Sequence, residues 1–376
     1  MLNLGLVGSS RKPHERRLPV HPSHLERLPD GLEVFVEEGY GARFGRSDDE
    51  LAPLVAGVLP REEILRRDVV VLPKPESEDL LGMREGGILW GWPHCVQGRE
   101  ITQAAIDRRL TLIAWEAMNF WGMDGRFARH VFHRNNELAG YCSVTHALAL
   151  LGSTAAYGRP LSAAVIGYGA TGRGAVNALI ALGFPDIHVL TQREAGAVRS
   201  PDGVQVTTYG RETVGPTEAF VVDVDDGHTP LAEFLAGSDV VVNCVFQDPL
   251  DPLVFVHDSE LERFGPRNLF VDVSIDEGMG FEWARPTSFD EPMLTIGPGS
   301  HYYAVDHSPS YLWNSATWEV SEALLPYAPL VAAGPDAWDA DETLRRAIEI
   351  RDGVIVNPKI LEFQNRAAEY PHPPVA

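Results

Sequence analysis

Along its first third the chain carries short apolar runs separated by polar stretches. Leu4-Gly5-Leu6-Val7, Glu33 to Glu37, Val69-Val70-Val71-Leu72, Gly87-Ile88-Leu89-Trp90 and Thr111 to Trp115 are brief and rich in branched or aromatic side chains. Arg61 to Arg67 and Glu100 to Arg108 have helical spacing between them, so the runs read as parallel strands covered by crossover helices. The Ala/Leu-rich stretch from Asn135 to Tyr157 holds no proline and ends at Gly158-Arg159-Pro160, which predicts a helix carrying the chain into a second unit. There Ala163 to Ile166, Ile187 to Leu190, Val204 to Thr208, Val240 to Asn243 and Leu269 to Asp272 supply a second set of strands. Helical spacing returns at Thr317 to Leu325 and Glu342 to Arg351, in a tail too short to fold alone and therefore expected to pack on one of the sheets. The expected fold class is α/β: two Rossmann-like, doubly wound parallel-sheet domains flanking a cleft. One domain would comprise 1–134 plus 308–376 and the other 135–307.

Charge narrows the partners. With 31 Lys and Arg against 53 Asp and Glu, the chain of 376 residues carries a net charge of −22 and no basic block, which argues against nucleic acid. No run of about 20 apolar residues suggests a membrane span. The N-terminal segment places its apolar residues before its basic ones, opposite to a secretory signal, so a cytoplasmic location is expected. Cys95, Cys142 and Cys244 lack the number and spacing of a disulfide framework or zinc site. His130 and His133 stand at i and i+3 without an evident third ligand, so no metal is expected.

Gly167-Tyr168-Gly169-Ala170-Thr171-Gly172 follows an apolar strand directly and opens a helical stretch, the context in which G-x-G-x-x-G signals a dinucleotide. The first glycine permits the turn, the second admits the pyrophosphate and the third lets helix and strand pack, while the helix N-terminus offers free N–H donors. Thr171 and Arg173 belong to the same expected cofactor contact. The second strand ends in Thr191-Gln192-Arg193, without the acid that holds the ribose hydroxyls of NAD. Gln192 and Arg193 therefore favour NADP, with NAD the alternative and Glu194 an opposing feature.

Nicotinamide chemistry on a small polar substrate needs an anchor and a proton-transfer group. Lys12 to Arg17 follow the first strand, Pro73-Lys74-Pro75 the third and Trp92-Pro93-His94-Cys95 the fourth, so three strand ends are expected to converge on one edge. An arginine there can grip a carboxylate, and a lysine beside a histidine can share proton transfer. The structural alternatives are an exposed turn for Lys74 and a histidine packed among Trp90, Trp92 and Trp115 for His94.

These residues also resemble a known family. Glu15-Arg16-Arg17-Leu18-Pro19-Val20-His21-Pro22 resembles the opening motif of the alanine dehydrogenase and transhydrogenase family, and Pro73-Lys74-Pro75-Glu76 and Trp92-Pro93-His94 resemble its lysine and histidine motifs. Gly91 to His94 and Ala139-Gly140-Tyr141 look like the carboxyethylornithine synthases of that family. Val305-Asp306-His307-Ser308-Pro309-Ser310 looks like lysine-forming saccharopine dehydrogenase. The resemblance implies that Arg17 and His307 bind substrate, that Lys74 and His94 transfer protons, and that Gly167, Gly169 and Gly172 carry the cofactor. Asp272 to Asp276 is similar to the family's D-x-x-x-D loop, which implies a place for Asp276 near the nicotinamide ribose and the reacting centre. The implied activity is an NAD(P)H-dependent oxidoreductase on C–N bonds, joining a 2-oxo acid to an amino-acid amine or running the reverse. An amino-acid dehydrogenase using ammonia stays open, as does a redox-silent nucleotide or amino-acid sensor. The segment Trp121 to Asn136 either sets substrate choice or forms a polar hinge. Homo-oligomerisation is compatible with all of these.

Overall fold

A computed structural model describes residues 1–214, 217–224, 227–248, 251–275 and 277–375. The chain divides into two compact units, Met1–His133 with Trp313–Ala376 and Arg134–Leu312.

In the first unit six parallel strands form most of one sheet: β1 (Leu4–Leu6), β2 (Val34–Glu37), β3 (Gly57–Leu59), β4 (Val69–Leu72), β5 (Ile88–Gly91) and β6 (Thr111–Ala114). They lie in the order β6-β5-β4-β1-β2-β3. β4 is buried along its whole length, as a strand covered on both faces must be, which is why its sequence is continuous Val-Val-Val-Leu rather than alternating. The short strand β3 was not expected from the sequence, because Gly57-Val58-Leu59 is barely apolar enough to stand out from its surroundings. A separate antiparallel ribbon, β7 (Asn119–Trp121) with β8 (Phe127–His130), occupies most of the segment of uncertain role.

The turn after β1 is filled from within. Glu37, at the end of β2, accepts hydrogen bonds from the backbone N–H groups of Gly8 and Ser9 at 2.7 and 2.9 Å and from the Ser9 hydroxyl at 2.5 Å. Arg61 lies 3.4 Å from the same carboxylate and 2.8 Å from buried Asp79, so the chain neutralises its own anions here.

In the second unit β9 (Ser162–Ile166), β10 (Asp186–Thr191), β11 (Val204–Val214), β12 (Thr217–Val224), β13 (Gly227–Pro230) and β14 (Val240–Asn243) are followed by β15 (Val254–Val256), β16 (Leu269–Asp272), β17 (Gly280–Phe281), β18 (Met293–Ile296) and β19 (Ser300–Tyr303). The main sheet runs β13-β12-β11-β10-β9-β14-β16-β19-β18. Its centre is parallel, but β12 and β13 fold back antiparallel on a β11 longer than Val204 to Thr208, and β18 closes the other edge antiparallel. The helix His133–Leu150 meets the helix Ala170–Ala181 at backbone distance: a Cβ on Gly140 would come within 2.0 Å of the Thr171 carbonyl, and one on Gly174 within 1.7 Å of the Glu137 carbonyl. Gly140 within Ala139-Gly140-Tyr141 is thus required by the packing of these two helices.

Two helical expectations need correction. The helix expected over 135–157 ends at Leu150. Gly152 adopts φ 61°, and Ser153 N–H reaches back to the Leu148 carbonyl at 2.9 Å, a Schellman ending. The stretch Glu342 to Arg351 is a helix only as far as Ala347. Ile348-Glu349-Ile350-Arg351 then alternates with period two and forms β20 (Ile348–Arg351), which pairs antiparallel with β6 and with β21 (Val354–Ile355). The tail therefore contributes strands to the first sheet, which is not purely parallel.

Candidate active site

Because β6, β5, β4 and β1 are parallel and adjacent in that order, their carboxyl ends share one edge of the first sheet. The loops leaving that edge carry the chemistry. Pro73 and Pro75 are buried on either side of the half-buried Lys74 and restrict its backbone, so the lysine stands on an anchored bend rather than in an exposed turn. Its Nζ lies 2.7 Å from Nε2 of His94. At that distance one nitrogen must donate and the other accept, so the pair shares a proton instead of carrying two charges. His94 is not packed away: 48% of its side chain is exposed, and its backbone sits at φ 48°, a left-handed conformation unusual for a non-glycine residue.

That backbone is held by Glu116, which follows β6. Glu116 Oε1 accepts the His94 N–H at 2.6 Å and lies 3.9 Å from the ring Nδ1. Its other oxygen, Oε2, is sealed from solvent without a hydrogen-bond partner, although 28% of the side chain is exposed. Burial first, then repulsion from Glu349, pushes the Glu116 carboxyl up to about 8. His130 secures the same turn from β8. Its Nδ1 accepts the Phe132 N–H at 3.1 Å, which leaves Nε2 as the donor toward the Glu116 carbonyl at 3.2 Å, and burial pushes the ring down to about 4. His130 thus positions main chain.

Arg17 is buried and held side-on by Glu15, with Nε to Oε1 at 2.9 Å and Nη2 to Oε2 at 2.6 Å. The same carboxylate accepts the Arg17 backbone N–H at 2.9 Å. The guanidinium lies 5.0 Å from the centroid of the Trp92 ring, two residues before His94. Trp92 in turn packs edge-on against Trp115 at 4.7 Å, next to Glu116. Aromatic packing therefore ties the arginine loop to the histidine and glutamate loops.

The second unit carries the glycine turn. Gly167 has φ 88°, and a Cβ on Gly172 would come within 2.2 Å of the Gly167 carbonyl, so protein geometry alone demands both. Gly169 is different. Its φ of −84° suits any residue, and a Cβ there would meet nothing within 4 Å. It caps the helix Ala170–Ala181, whose first N–H groups receive no side-chain cap. Open space above an uncapped helix N-terminus fits the pyrophosphate of a dinucleotide.

Thr191 is buried at the end of β10, and its Oγ1 accepts the Arg193 N–H at 3.1 Å. The Arg193 guanidinium donates from Nη2 to the Tyr168 carbonyl at 3.0 Å, which draws it back over the glycine turn, while Gln192 is exposed. Arg173 lies 3.5 Å from Glu137 and is engaged by that ion pair. Asp272, fully buried at the end of β16, accepts from Asn243 Nδ2 at 3.1 Å and from the Tyr302 hydroxyl at 3.0 Å, and from the N–H of Ile275 at 3.3 Å. Ile275 sits at φ 58°, a genuine strain for a β-branched residue. Asp276 lies outside the described residues. His307 is buried, hydrogen-bonded through Nδ1 to Asp306 and edge-on to Phe289 at 5.1 Å.

The family model described as "Alanine dehydrogenase/PNT, N-terminal domain" matches residues 7–123, and "Alanine dehydrogenase/PNT, C-terminal domain" matches residues 146–358. The chain belongs to the alanine dehydrogenase/PNT family. Among its relatives, the N(5)-(carboxyethyl)ornithine synthase of Clostridium botulinum is 23% identical, over 83% of this chain and 89% of that protein. The alanine dehydrogenase of Geobacillus stearothermophilus is 26% identical over 94% of each. A solved L-alanine dehydrogenase superposes with a TM-score of 0.79 at 21% identity, covering 96% of this chain and 99% of the other. The transhydrogenase of Sinorhizobium meliloti gives 0.70 at 20% identity, over 94% and 99%.

This member of the alanine dehydrogenase/PNT family is an NAD(P)-dependent oxidoreductase of amino-acid metabolism acting on CH–NH2 or CH–NH donors. Within the first unit the structure brings Lys74 and His94 together and links Arg17 to the same loops through Trp92. Sequence reasoning missed Glu116 and the clamping role of Glu15. Glu116 obeys the rule that identified the others, an ionisable residue just past the carboxyl end of a parallel strand, and could have been found by applying it to β6.

Proposed function

We propose that this chain is an NADPH-dependent enzyme that condenses a small 2-oxo acid with the amine of an amino acid, or runs the reverse. The observation that carries the reading is the 2.7 Å Lys74–His94 pair, held at a strained backbone and backed by Glu116 on the strand-end edge that also presents Arg17. Arg17, fixed side-on by Glu15, would anchor the oxo-acid carboxylate. The amine adds to the carbonyl carbon, and the shared proton of Lys74 and His94 is placed to protonate the departing oxygen as water leaves and the C=N bond forms. Such acid–base help is worth roughly 10² to 10⁴ in rate. When bound, the reduced nicotinamide supplies the hydride for the imine carbon. Gly169 and the N-terminus of the helix Ala170–Ala181 would hold its pyrophosphate, and Arg193 a 2′-phosphate, which is the basis for preferring NADP over NAD. Asp276 and His307 are assigned to the same chemistry through the family motifs.

The test is NADPH absorbance across a matrix of 2-oxo acids and amines, with NADH in parallel. Consumption with pyruvate and a diamino acid, well above that with pyruvate and ammonium, is the expected result. Preference for ammonium would make the enzyme an amino-acid dehydrogenase, and no consumption with any pair would leave the sensor reading.

A further inference from the structure

His94 stands in a left-handed turn, at φ 48°, and a non-glycine residue stays there only where its surroundings over-determine it. Two restraints act on His94 itself: its N–H donates to Glu116 at 2.6 Å, and its carbonyl accepts the Gly98 N–H at 2.8 Å. The carbonyl of the next residue, Cys95, is held from elsewhere. It accepts the hydroxyl of Thr102 at 2.9 Å, from the helix Arg99–Asp107, and the side-chain amide of Gln364 at 2.7 Å, from 269 residues along the chain.

Gln364 closes the helix Pro358–Gln364 and is fully buried, as is Thr102. Its amide oxygen accepts Nε of Arg366 at 2.7 Å, which turns Nε2, the donor, toward the histidine loop. From there Nε2 also reaches the Val96 carbonyl at 3.2 Å and Thr102 Oγ1 at 3.1 Å. Arg366 is fixed in turn, donating from Nη1 to Gln103 Oε1 at 2.9 Å and to the His372 carbonyl at 3.1 Å. The neighbours along these segments, Cys95, Ala105 and Ile360, belong to one hydrophobic core. A leucine of similar size would fill that space without burying an amide, so packing alone does not explain a glutamine there. What the glutamine adds is a donor for two carbonyls of the loop that carries His94.

We propose that Gln364 is a positioning residue for the acid–base pair: with Thr102 it pins the Cys95 carbonyl, and so holds the turn that keeps His94 Nε2 at 2.7 Å from Lys74. The returning tail thereby acts on the chemistry through main chain, without touching substrate. The inference deepens the proton-transfer role proposed for Lys74 and His94 and rests on that reading. Without the Gln364 amide the Val96 and Cys95 carbonyls each lose a donor, and the turn is free to relax toward ordinary backbone angles, carrying the imidazole away from Nζ.

The experiment compares Gln364→Leu, Thr102→Val and Thr102→Ser with wild type in the full chain, with Lys74→Ala as the reference for a broken pair. The imidazole nitrogen resonance of His94 Nε2 is read first, by NMR without substrate. In Gln364→Leu and Thr102→Val it should move from the wild-type position toward that of Lys74→Ala. Thr102→Ser, which keeps the hydroxyl, should stay at the wild-type position. With a working substrate pair, kcat should fall about 10- to 100-fold in the two disrupting variants, as for a misplaced catalytic group, while NADPH affinity is retained. A wild-type resonance in both disrupting variants overturns the proposal, as does a kcat that holds while Tm falls, or one lost together with nucleotide affinity. If Gln364→Leu does not fold, Thr102→Val decides by the same readings. An unmoved resonance in Lys74→Ala would refute the pair and this proposal with it. An enzyme that consumed NADPH with no oxo acid and amine would refute the functional reading alone, leaving the resonance to judge Gln364.

Discussion

The glycine turn offers a test in which the protein's needs and the ligand's separate. Gly169→Ala places a methyl group where no protein atom lies within 4 Å, at φ −84°, so the fold should tolerate it within about 1 kcal/mol. The same methyl projects toward the uncapped helix N-terminus. If it displaces one charge-assisted hydrogen bond to a pyrophosphate, about 1.5–3 kcal/mol is lost, or roughly 10- to 100-fold in Kd. Gly172→Ala is the contrasting case. Its Cβ would lie 2.2 Å from the Gly167 carbonyl, so strand and helix must separate, at a cost of about 1–3 kcal/mol or more. At about 2–4 °C per kcal/mol for a domain of this size, thermal unfolding resolves that loss. NADPH and NADH titrations by calorimetry, alongside melting curves, should show Gly169→Ala weakened in binding at near-normal Tm, and Gly172→Ala lowered in Tm. An unchanged Kd for Gly169→Ala with both nucleotides would refute the assignment of that open space to a pyrophosphate.

Lys74→Ala and His94→Ala should each lose roughly 10²–10⁴ in turnover while nucleotide affinity in the same calorimeter is retained; near-normal rates with a working substrate pair would remove them from proton transfer. Arg193→Ala should lower NADPH affinity about 10-fold or more and leave NADH affinity nearly unchanged, and equal losses for both would dismiss the 2′-phosphate contact. Glu15→Ala removes the carboxylate that holds the buried Arg17 side-on and should cost about 3–5 kcal/mol in denaturant unfolding, whereas a loss under 1 kcal/mol would show that this pair contributes little to the fold. Stability should also depend on pH through Glu116. Its folded pKa, raised to about 8, means that the folded chain binds a proton the unfolded chain has released above its usual range, so this contribution is present in acid and lost as pH rises toward 8. Glu116→Gln should therefore gain stability relative to wild type at pH 8 compared with pH 5, and a constant difference across that range would contradict a neutral Glu116.

Much of this was legible in one dimension because the physics is local. Val69 to Leu72 is short, wholly apolar and bounded by turn residues, and within Gly167 to Gly172 the turn itself demands glycine at Gly167 and Gly172. Lys74 and His94 were legible for a related reason: each follows a strand directly, and parallel strands deliver their ends to one edge. What sequence order concealed was non-local. Ile348 to Arg351 continues a helical pattern on paper and becomes a strand because the edge of β6 offers it hydrogen bonds. Glu116 stands 22 residues beyond His94, and no periodicity announces that its carboxylate accepts the His94 N–H. The helix beyond Leu150 failed for a smaller reason, since Gly152 in a left-handed conformation outweighed the alanines that follow it.

The carboxylate of Glu37 gives the chain's two similar sheets different fates. An incoming phosphate at the turn after β1 would have to evict an internal anion already gripped by two amides, a hydroxyl and a neighbouring guanidinium. The turn after β1 is thereby closed by the protein's own carboxylate, whereas at Gly169 in the second sheet a side-chain carbon would meet nothing within 4 Å, so one strand-end turn is filled and the other stands open.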